Sequence, residues 1–182
     1  QEVWNPDSPK VKQAPEAYVD VQNTASLLMR MELAGFEVGD RWSGLVPLAE
    51  SRLEDHTSPF TSIHALIILA KSGKFEKART MIGNMLAFTD LDQGPIGNTY
   101  RQVVVPAAEA ILAFVEDQPK QVLERLMPIR FLLYRMGGSH AQRDLFWQMM
   151  TRTALQLEDR ALLGQLHSEI RDFGFSMMEH RR

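Results

Sequence analysis

The sequence contains no cysteine among its 182 residues. This absence excludes disulfide bonds, thiolate metal sites and a cysteine nucleophile. Long apolar runs are also missing: no stretch approaches the roughly 18 residues that a transmembrane helix needs. The opening residues, QEVWNPDSPK, lack the apolar core of a signal peptide. We therefore expect a cytoplasmic protein that does not bind a membrane.

An excess of either charge is absent as well. Lys and Arg total 20 and Asp and Glu total 23, and this net charge of −3 argues against nucleic-acid binding. The sequence has neither the phosphate-binding G-x-x-x-x-G-K-[ST] motif nor the dinucleotide-binding G-x-G-x-x-G motif. The G-x-S-x-G pattern of serine hydrolases does not occur either. No motif indicates an enzyme, and we predict no metal and no cofactor.

What is present is a helical pattern with enough apolar residues, 45% of the chain, to build a core. Residues 1–17 contain three prolines among polar residues, which predicts an extended lead-in. Residues 18–182 are predicted to form one all-α domain of about eight helices. The predicted boundaries are N-caps at Asp20, Asp40, Ser58 and Ser139, helix ends at Gly35 and Gly137-Gly138, kinks near Pro47 and Pro128, a loop over residues 88–98, and a helix from about Arg101 to Glu116.

Two-helix units recur along these predicted helices. LAKSGKFEKARTMIGNM (69–85) and LAFVEDQPKQVLERLMPI (112–129) share a small residue, a turn and then three apolar positions, and ALQLEDRALLGQLHSEI (154–170) is a fainter copy. Hairpins that recur at about 40 residues predict an α-solenoid, in which each antiparallel pair buries its apolar stripe against the next. Such a stack curves and leaves a concave face. The alternative is an ordinary eight-helix bundle.

Gly73, Phe75, Ala78 and Ile82 are arranged like the turn and second helix of a tetratricopeptide repeat. DVQNTASLLMRMELAGFEVGDRW (20–42), EDHTSPFTSIHALIILAKSGKFEKA (54–78) and YRMGGSHAQRDLFWQMMTRTAL (134–155) resemble, in that order, segments of the tetratricopeptide repeat protein 38-like family. The resemblance spans about residues 18–172 and implies a tetratricopeptide-like α-solenoid corresponding to the C-terminal half of longer members. Those members usually carry an aspartate where this chain has Ser62.

Several polar residues match polar positions of that family and are candidates for a binding groove. One histidine lies in the most apolar predicted helix, where a hydrogen-bonded interior histidine is the usual structural role. Others open the predicted helix that Ser139 caps, where capping and packing are the structural alternative. We expect all of them to converge on the inner face of the stack and form a polar pocket or a peptide-binding surface: Asp55, His56, His64, His140, Gln142, Arg143 and Asp144.

The function that these observations indicate is a scaffold that binds a protein or peptide partner on its concave face. One alternative is a small-molecule-binding or enzymatic domain that uses the same His/Arg/Asp cluster. Another is a dimerising structural fragment. Met177 and Met178 are a candidate partner surface, because flexible thioethers adapt to irregular shapes.

Overall fold

Between residues 18 and 172, the part of the chain that the computed structural model describes, all regular structure is helical. Counting the 3₁₀ and π segments with the α-helices that they continue, this part has the eight helices predicted, plus one separate 3₁₀ turn. The elements are, in order, α1 (Tyr18–Leu33), a 3₁₀ segment (Gly39–Leu45), α2 (Val46–Glu50), α3 (Pro59–Lys71), α4 (Phe75–Leu91), α5 (Pro95–Thr99), a π segment (Tyr100–Val104), α6 (Val105–Val115), α7 (Pro119–Leu126), 3₁₀ segments (Met127–Ile129 and Leu133–Met136), α8 (His140–Gln156) and α9 (Arg160–Asp172).

Two predicted segments lie outside the described residues: the lead-in over residues 1–17, and the C-terminal surface containing Met177 and Met178. Within the described residues, none of the helices combines the length and the apolar character that crossing a lipid bilayer demands.

Two of the four predicted N-caps are confirmed, whereas Asp40 lies inside the 3₁₀ segment that begins at Gly39 and does not cap it. The Ser58 hydroxyl accepts the backbone N–H of Thr61 at 3.3 Å. Ser139 accepts the N–H of Gln142 at 3.3 Å while the Gln142 side chain accepts the Ser139 N–H at 2.8 Å, which is a complete capping box. The Asp20 prediction was wrong, because α1 already begins at Tyr18 and Asp20 lies inside its first turn, where a carboxylate still favours the helix dipole.

Four helices, α1, α3, α6 and α8, end in the same backbone arrangement. After each helix one residue has a positive φ, and the N–H of the next residue donates to the carbonyl five positions earlier, as in the Schellman motif. The positive-φ residues lie about 40 residues apart. They are Gly35, Gly73, Asp117 and Glu158. The three aligned sequence segments therefore share one turn geometry, and the Gly35 helix end is a fourth example.

These turns divide the described chain into four helical hairpins. The first joins α1 to the 3₁₀ segment and α2, the second joins α3 to α4, the third joins α5 and α6 to α7, and the fourth joins α8 to α9. Neighbouring hairpins pack through α1 on α3, α3 on α6, and α7 on α8. In addition, α1 packs directly on α8, so the first described hairpin meets the last.

Helix α3 is the centre of this arrangement and contacts α1, α2, α4 and α6. Its ten residues from Thr61 to Ala70 are all buried, including the run Leu66, Ile67, Ile68 and Leu69 at 0% exposure. A helix that is apolar on every side is stable only when it is covered on every side. The apolar character of this segment is therefore explained by its central position.

The loop predicted over residues 88–98 was wrong, because most of these residues are helical. Only a three-residue turn separates α4 from α5, which begins at Pro95, well before the predicted start at Arg101. The Asp92 carboxylate accepts the backbone N–H groups of Gly94 at 2.7 Å and Gly97 at 3.0 Å. This side chain satisfies donors at the start of α5 and keeps the turn short.

The prolines within the helices are accommodated by changes in helix type. Pro106 has no N–H, and the π segment before it widens the turn so that the Val105 N–H donates to the Tyr100 carbonyl. The predicted kinks at Pro47 and Pro128 correspond to changes between 3₁₀ and α geometry. The π segment also has a consequence for the candidate site, because it places the Tyr100 side chain in the core at 0% exposure.

Candidate functional site

Asp55 and His56 lie in the turn between α2 and α3. The Asp55 carboxylate pairs with Arg52 at 2.7 Å and accepts the Thr57 N–H at 3.0 Å. Burial by itself raises the pKa of Asp55, but the bonds from Thr57 and Arg52 outweigh burial and hold that pKa below its usual value. The carboxylate is therefore ionised and is used to stabilise its own turn.

The His56 ring packs on two aromatic side chains, 4.8 Å from the Phe88 ring and 5.6 Å from the Tyr100 ring between centroids. Burial lowers the pKa of His56, and neighbouring carboxylates only partly offset this. The Tyr100 hydroxyl lies 2.6 Å from the Ser62 hydroxyl. Burial raises the pKa of Tyr100 to about 12, so its phenol stays protonated at neutral pH. This group is a packed interior cluster.

His64 occupies the middle of α3 and is 2% exposed. Its Nδ1 lies 2.7 Å from the Phe60 carbonyl, and because a carbonyl only accepts, Nδ1 carries the hydrogen. Nε2 makes no hydrogen bond within residues 18–172, and the residue lines a cavity of about 20 Å³, which is the size of one water molecule. Burial lowers the pKa of His64 to about 4. These features fit the interior structural role.

Gln142 connects the first and last hairpins. Its side-chain amide donates to the Asn23 side-chain oxygen at 3.0 Å, in addition to its part in the capping box. At the adjacent residue of α8, the Ala141 carbonyl accepts a hydrogen bond from the Arg30 guanidinium of α1 at 2.8 Å. Gln142 therefore stabilises the α1–α8 contact, and the structure gives it a positioning role at this junction.

His140 and Arg143 share one cleft, which we name the aromatic cleft. It has a volume of about 170 Å³ and lies between the 3₁₀ segments that follow α7 and the first two turns of α8. Its lining residues are Arg130, Phe131, Leu133, Tyr134, His140, Arg143 and Trp147.

The side chains of the aromatic cleft are held in place by their neighbours. The Arg130 guanidinium lies 4.2 Å from the centre of the Phe131 ring and pairs with both carboxylate oxygens of Glu169, at 2.8 and 2.9 Å. The bond from Arg130 lowers the pKa of Glu169, so this pair is ionised. The Phe131 and Trp147 rings lie 5.9 Å apart. The cleft is therefore built from ordered groups.

Asp144 faces a second cleft, which we name the helical cleft because α1, α8 and α9 form it. The Asp144 carboxylate accepts the Gln148 side-chain amide at 2.5 Å. The cleft has a volume of about 300 Å³. Its lining residues are Leu33, Ala34, Asp144, Trp147, Gln148, Thr151, Arg152, Leu155, His167 and Ile170. Trp147 lines both clefts.

The structure thus distributes the seven candidates among several places. Among the described residues, His140 and Arg143 line the same cavity, and Phe60 gives an indirect link, because its ring lies 4.2 Å from His64 and also packs against Gly138. Sequence reasoning missed the aromatic residues Phe131, Tyr134 and Trp147. Helical spacing places position 147 beside 140 and 143, and this spacing was a usable signal.

No family model matches the chain, and no solved structure matches it significantly. Within residues 18–172, no group of three or more His, Asp or Glu side chains is placed to hold a metal ion. The class that the described residues define is an all-helical protein built from four hairpins, with two clefts that α8 lines.

Proposed function

We propose that this chain is a helical-repeat scaffold of the tetratricopeptide type that binds a segment of a partner protein in the helical cleft. The observation that carries the proposal is the position of that cleft between the first and last described hairpins. Cavities between packed helices are common binding sites, because the helices fix the walls while the gap stays accessible. A segment bound there contacts three helices at once.

The lining of the helical cleft suits a polypeptide. Leu33, Leu155 and Ile170 offer apolar surface. Leu155 is 53% exposed although it lies on α8, in the cleft between α1 and α9. Asp144 and Arg152 add one charge of each sign on the same helix. An apolar centre with polar groups around it is the usual composition of a protein–protein contact.

The repeat class rests on the four Schellman turns spaced about 40 residues apart and on the packing of each hairpin against the next. We propose on this basis, and on the sequence resemblance, that the chain is related to the tetratricopeptide repeat protein 38-like family. Because α1 packs directly on α8, we propose the cleft beside that contact as the binding surface, in place of the concave groove expected from the sequence.

A display library of random peptides tests the proposal. Peptides selected on the wild-type protein should bind Leu155→Asp at least about tenfold more weakly, because a carboxylate in the apolar centre opposes burial. Leu86→Asp is the matched control, since Leu86 is also an exposed helical leucine, at 46%, and lies on α4. Equal binding to both variants, or no peptide enriched above a blank surface, would refute the proposal.

The dimerising alternative gives a different result in the same experiment. If a second copy of the chain occupies the helical cleft, sedimentation of the wild type will show a concentration-dependent dimer, and Leu155→Asp will sediment as a monomer. If the wild type is a monomer at all concentrations, self-association is excluded as the role of this cleft.

A further inference from the structure

The aromatic cleft is a small cavity that has no part in the polypeptide binding proposed for the helical cleft. Its volume of about 170 Å³ is smaller than the roughly 300 Å³ at which pockets for drug-sized ligands begin. Phe131 and Tyr134 are 40% and 64% exposed at its mouth, and the Trp147 indole closes its inner side at 2% exposure. Walls of this kind and volume fit one planar ring.

The cleft also carries one positive charge that no carboxylate of the described chain neutralises. Arg130 is paired with Glu169 through two hydrogen bonds. Arg143 forms no ion pair with another residue of the range 18–172; its Nη1 donates to the Gly137 carbonyl at 3.2 Å and to the Gly138 carbonyl. Both bonds use Nη1, so they fix the guanidinium while its Nε–Nη2 edge makes no hydrogen bond to residues 18–172.

That edge is one of the two with which arginine can bind a carboxylate through two parallel hydrogen bonds. We propose that the aromatic cleft binds a small aromatic carboxylate, with its ring against Phe131, Tyr134 and Trp147 and its carboxylate on the Nε–Nη2 edge of Arg143. The ring gains stacking and edge contacts with the aromatic walls. The carboxylate neutralises the Arg143 charge in a partly desolvated place, which strengthens the pair.

Benzoate and phenylacetate are the probes, added to ¹⁵N-labelled protein and followed by two-dimensional NMR. A ligand of this size is expected to bind with a Kd on the order of 1 mM. The signals expected to move are the Trp147 indole N–H and the Arg143 Nε–H. Benzamide keeps the ring but lacks the charge, and cyclohexanecarboxylate keeps the charge but lacks the planar ring; each should bind about tenfold more weakly or worse.

Two variants on one helix separate the Arg143 interaction from general charge effects. Arg143→Met should weaken benzoate binding at least about tenfold, whereas Arg152→Met, which removes an exposed arginine of the neighbouring cleft, should leave it unchanged. Arg143 also donates hydrogen bonds to the carbonyls of Gly137 and Gly138. The melting temperature of Arg143→Met is therefore measured together with its benzoate affinity. Tyr134→Leu, at an exposed position without that structural role, should weaken benzoate binding several-fold.

Several results would overturn this proposal. They are equal binding of benzoate and benzamide, equal loss in Arg143→Met and Arg152→Met, or no shift of either reporter signal up to about 20 mM benzoate. A peptide with a C-terminal phenylalanine that binds the cleft much more tightly than benzoate would also overturn it, because the cleft would then be a peptide subsite. The Leu155→Asp experiment is independent of all of these outcomes.

Discussion

The hydroxyl groups of Ser62 and Tyr100 lie 2.6 Å apart in the interior and join α3 to the π segment. Ser62 has one hydrogen, and its oxygen also lies 3.0 Å from the Asp55 carbonyl and 3.2 Å from the Ser58 carbonyl. Carbonyls only accept, so Ser62 donates to a carbonyl and Tyr100 donates to Ser62. The tyrosine therefore depends on the serine, whereas the serine keeps a partner without the tyrosine.

This asymmetry predicts unequal mutational costs. Ser62→Ala leaves the buried Tyr100 hydroxyl without an acceptor and should lower the free energy of unfolding by about 1–3 kcal/mol, while Tyr100→Phe should lower it by about 0.5–1.5 kcal/mol. The double variant should cost less than the sum of the two, because no orphan hydroxyl remains. Urea unfolding of the four proteins measures the coupling. Strict additivity would show that the 2.6 Å contact contributes nothing.

The sequence could predict the serine at the start of α3 but could not predict this contact. Ser58 and Ser139 were recognisable because an N-cap is a local device whose donors and acceptor lie within three residues. The Ser62–Tyr100 pair joins positions 38 residues apart and depends on the π segment before Pro106. The residues just before that proline, Val103 to Val105, are weak helix formers. Such a run gives no sign that a wider turn will rotate Tyr100 inward.

The turn between the last 3₁₀ segment and α8 requires glycine at position 138. Gly138 has a φ of +75°, and a Cβ there would overlap the Phe60 ring. Gly138→Ala should therefore lower the free energy of unfolding by about 2 kcal/mol or more, from the left-handed backbone and the clash together. Thermal or urea unfolding measures this change.

Gly164→Ala is the matched control for that experiment. Gly164 lies inside α9, and a Cβ there would meet no atom within 4 Å. Because alanine favours a helix interior, this variant should stabilise the protein by about 0.5–1 kcal/mol. A loss of stability in Gly164→Ala as large as in Gly138→Ala would mean that the effect reflects glycine replacement in general.

The four Schellman turns give a third prediction. Glu158 holds a left-handed backbone that glycine adopts without strain, and Gly73 already supplies glycine at the equivalent position of α3. Glu158→Gly should be neutral or should stabilise the protein by up to about 1 kcal/mol. Gly73→Ala should destabilise it by about 1 kcal/mol through backbone strain alone, because the added Cβ would meet no atom within 4 Å. The opposite signs, measured by urea unfolding, would confirm that the turns are equivalent. Equal losses would contradict this.

The candidate site shows the same division between local and long-range information. Gln142 and Asp144 were recognisable as polar residues opening a helix, and the structure shows Gln142 in the capping box. The aromatic cleft depends on Phe131 and Tyr134 from the irregular stretch that follows α7. Sequence reasoning treated that stretch as one continuous helix, whereas the structure divides it into two short 3₁₀ segments, and no local pattern in the sequence indicates this break.

The burial of His64 predicts a dependence of stability on pH. In the folded protein burial lowers the pKa of His64 to about 4, whereas an unfolded histidine titrates near its ordinary value of 6.5. Between these values the unfolded chain binds the proton and the folded chain does not, so the free energy of unfolding should fall as the pH decreases from about 6.5 towards 4. The maximum slope for one such group is about 1.4 kcal/mol per pH unit.

Urea unfolding from pH 7 to pH 5 tests this prediction, since Asp55 and Glu169, whose pKa values are lowered, lose their contributions only at more acidic pH. His64→Gln should flatten the slope, although His56 leaves a part of it, because burial also lowers the pKa of that histidine. His167→Gln, at an exposed position on α9, is the control and should retain the wild-type slope. If His64→Gln and the wild type lose stability in parallel, His64 already binds its proton in the folded state, and the neutral interior histidine is excluded.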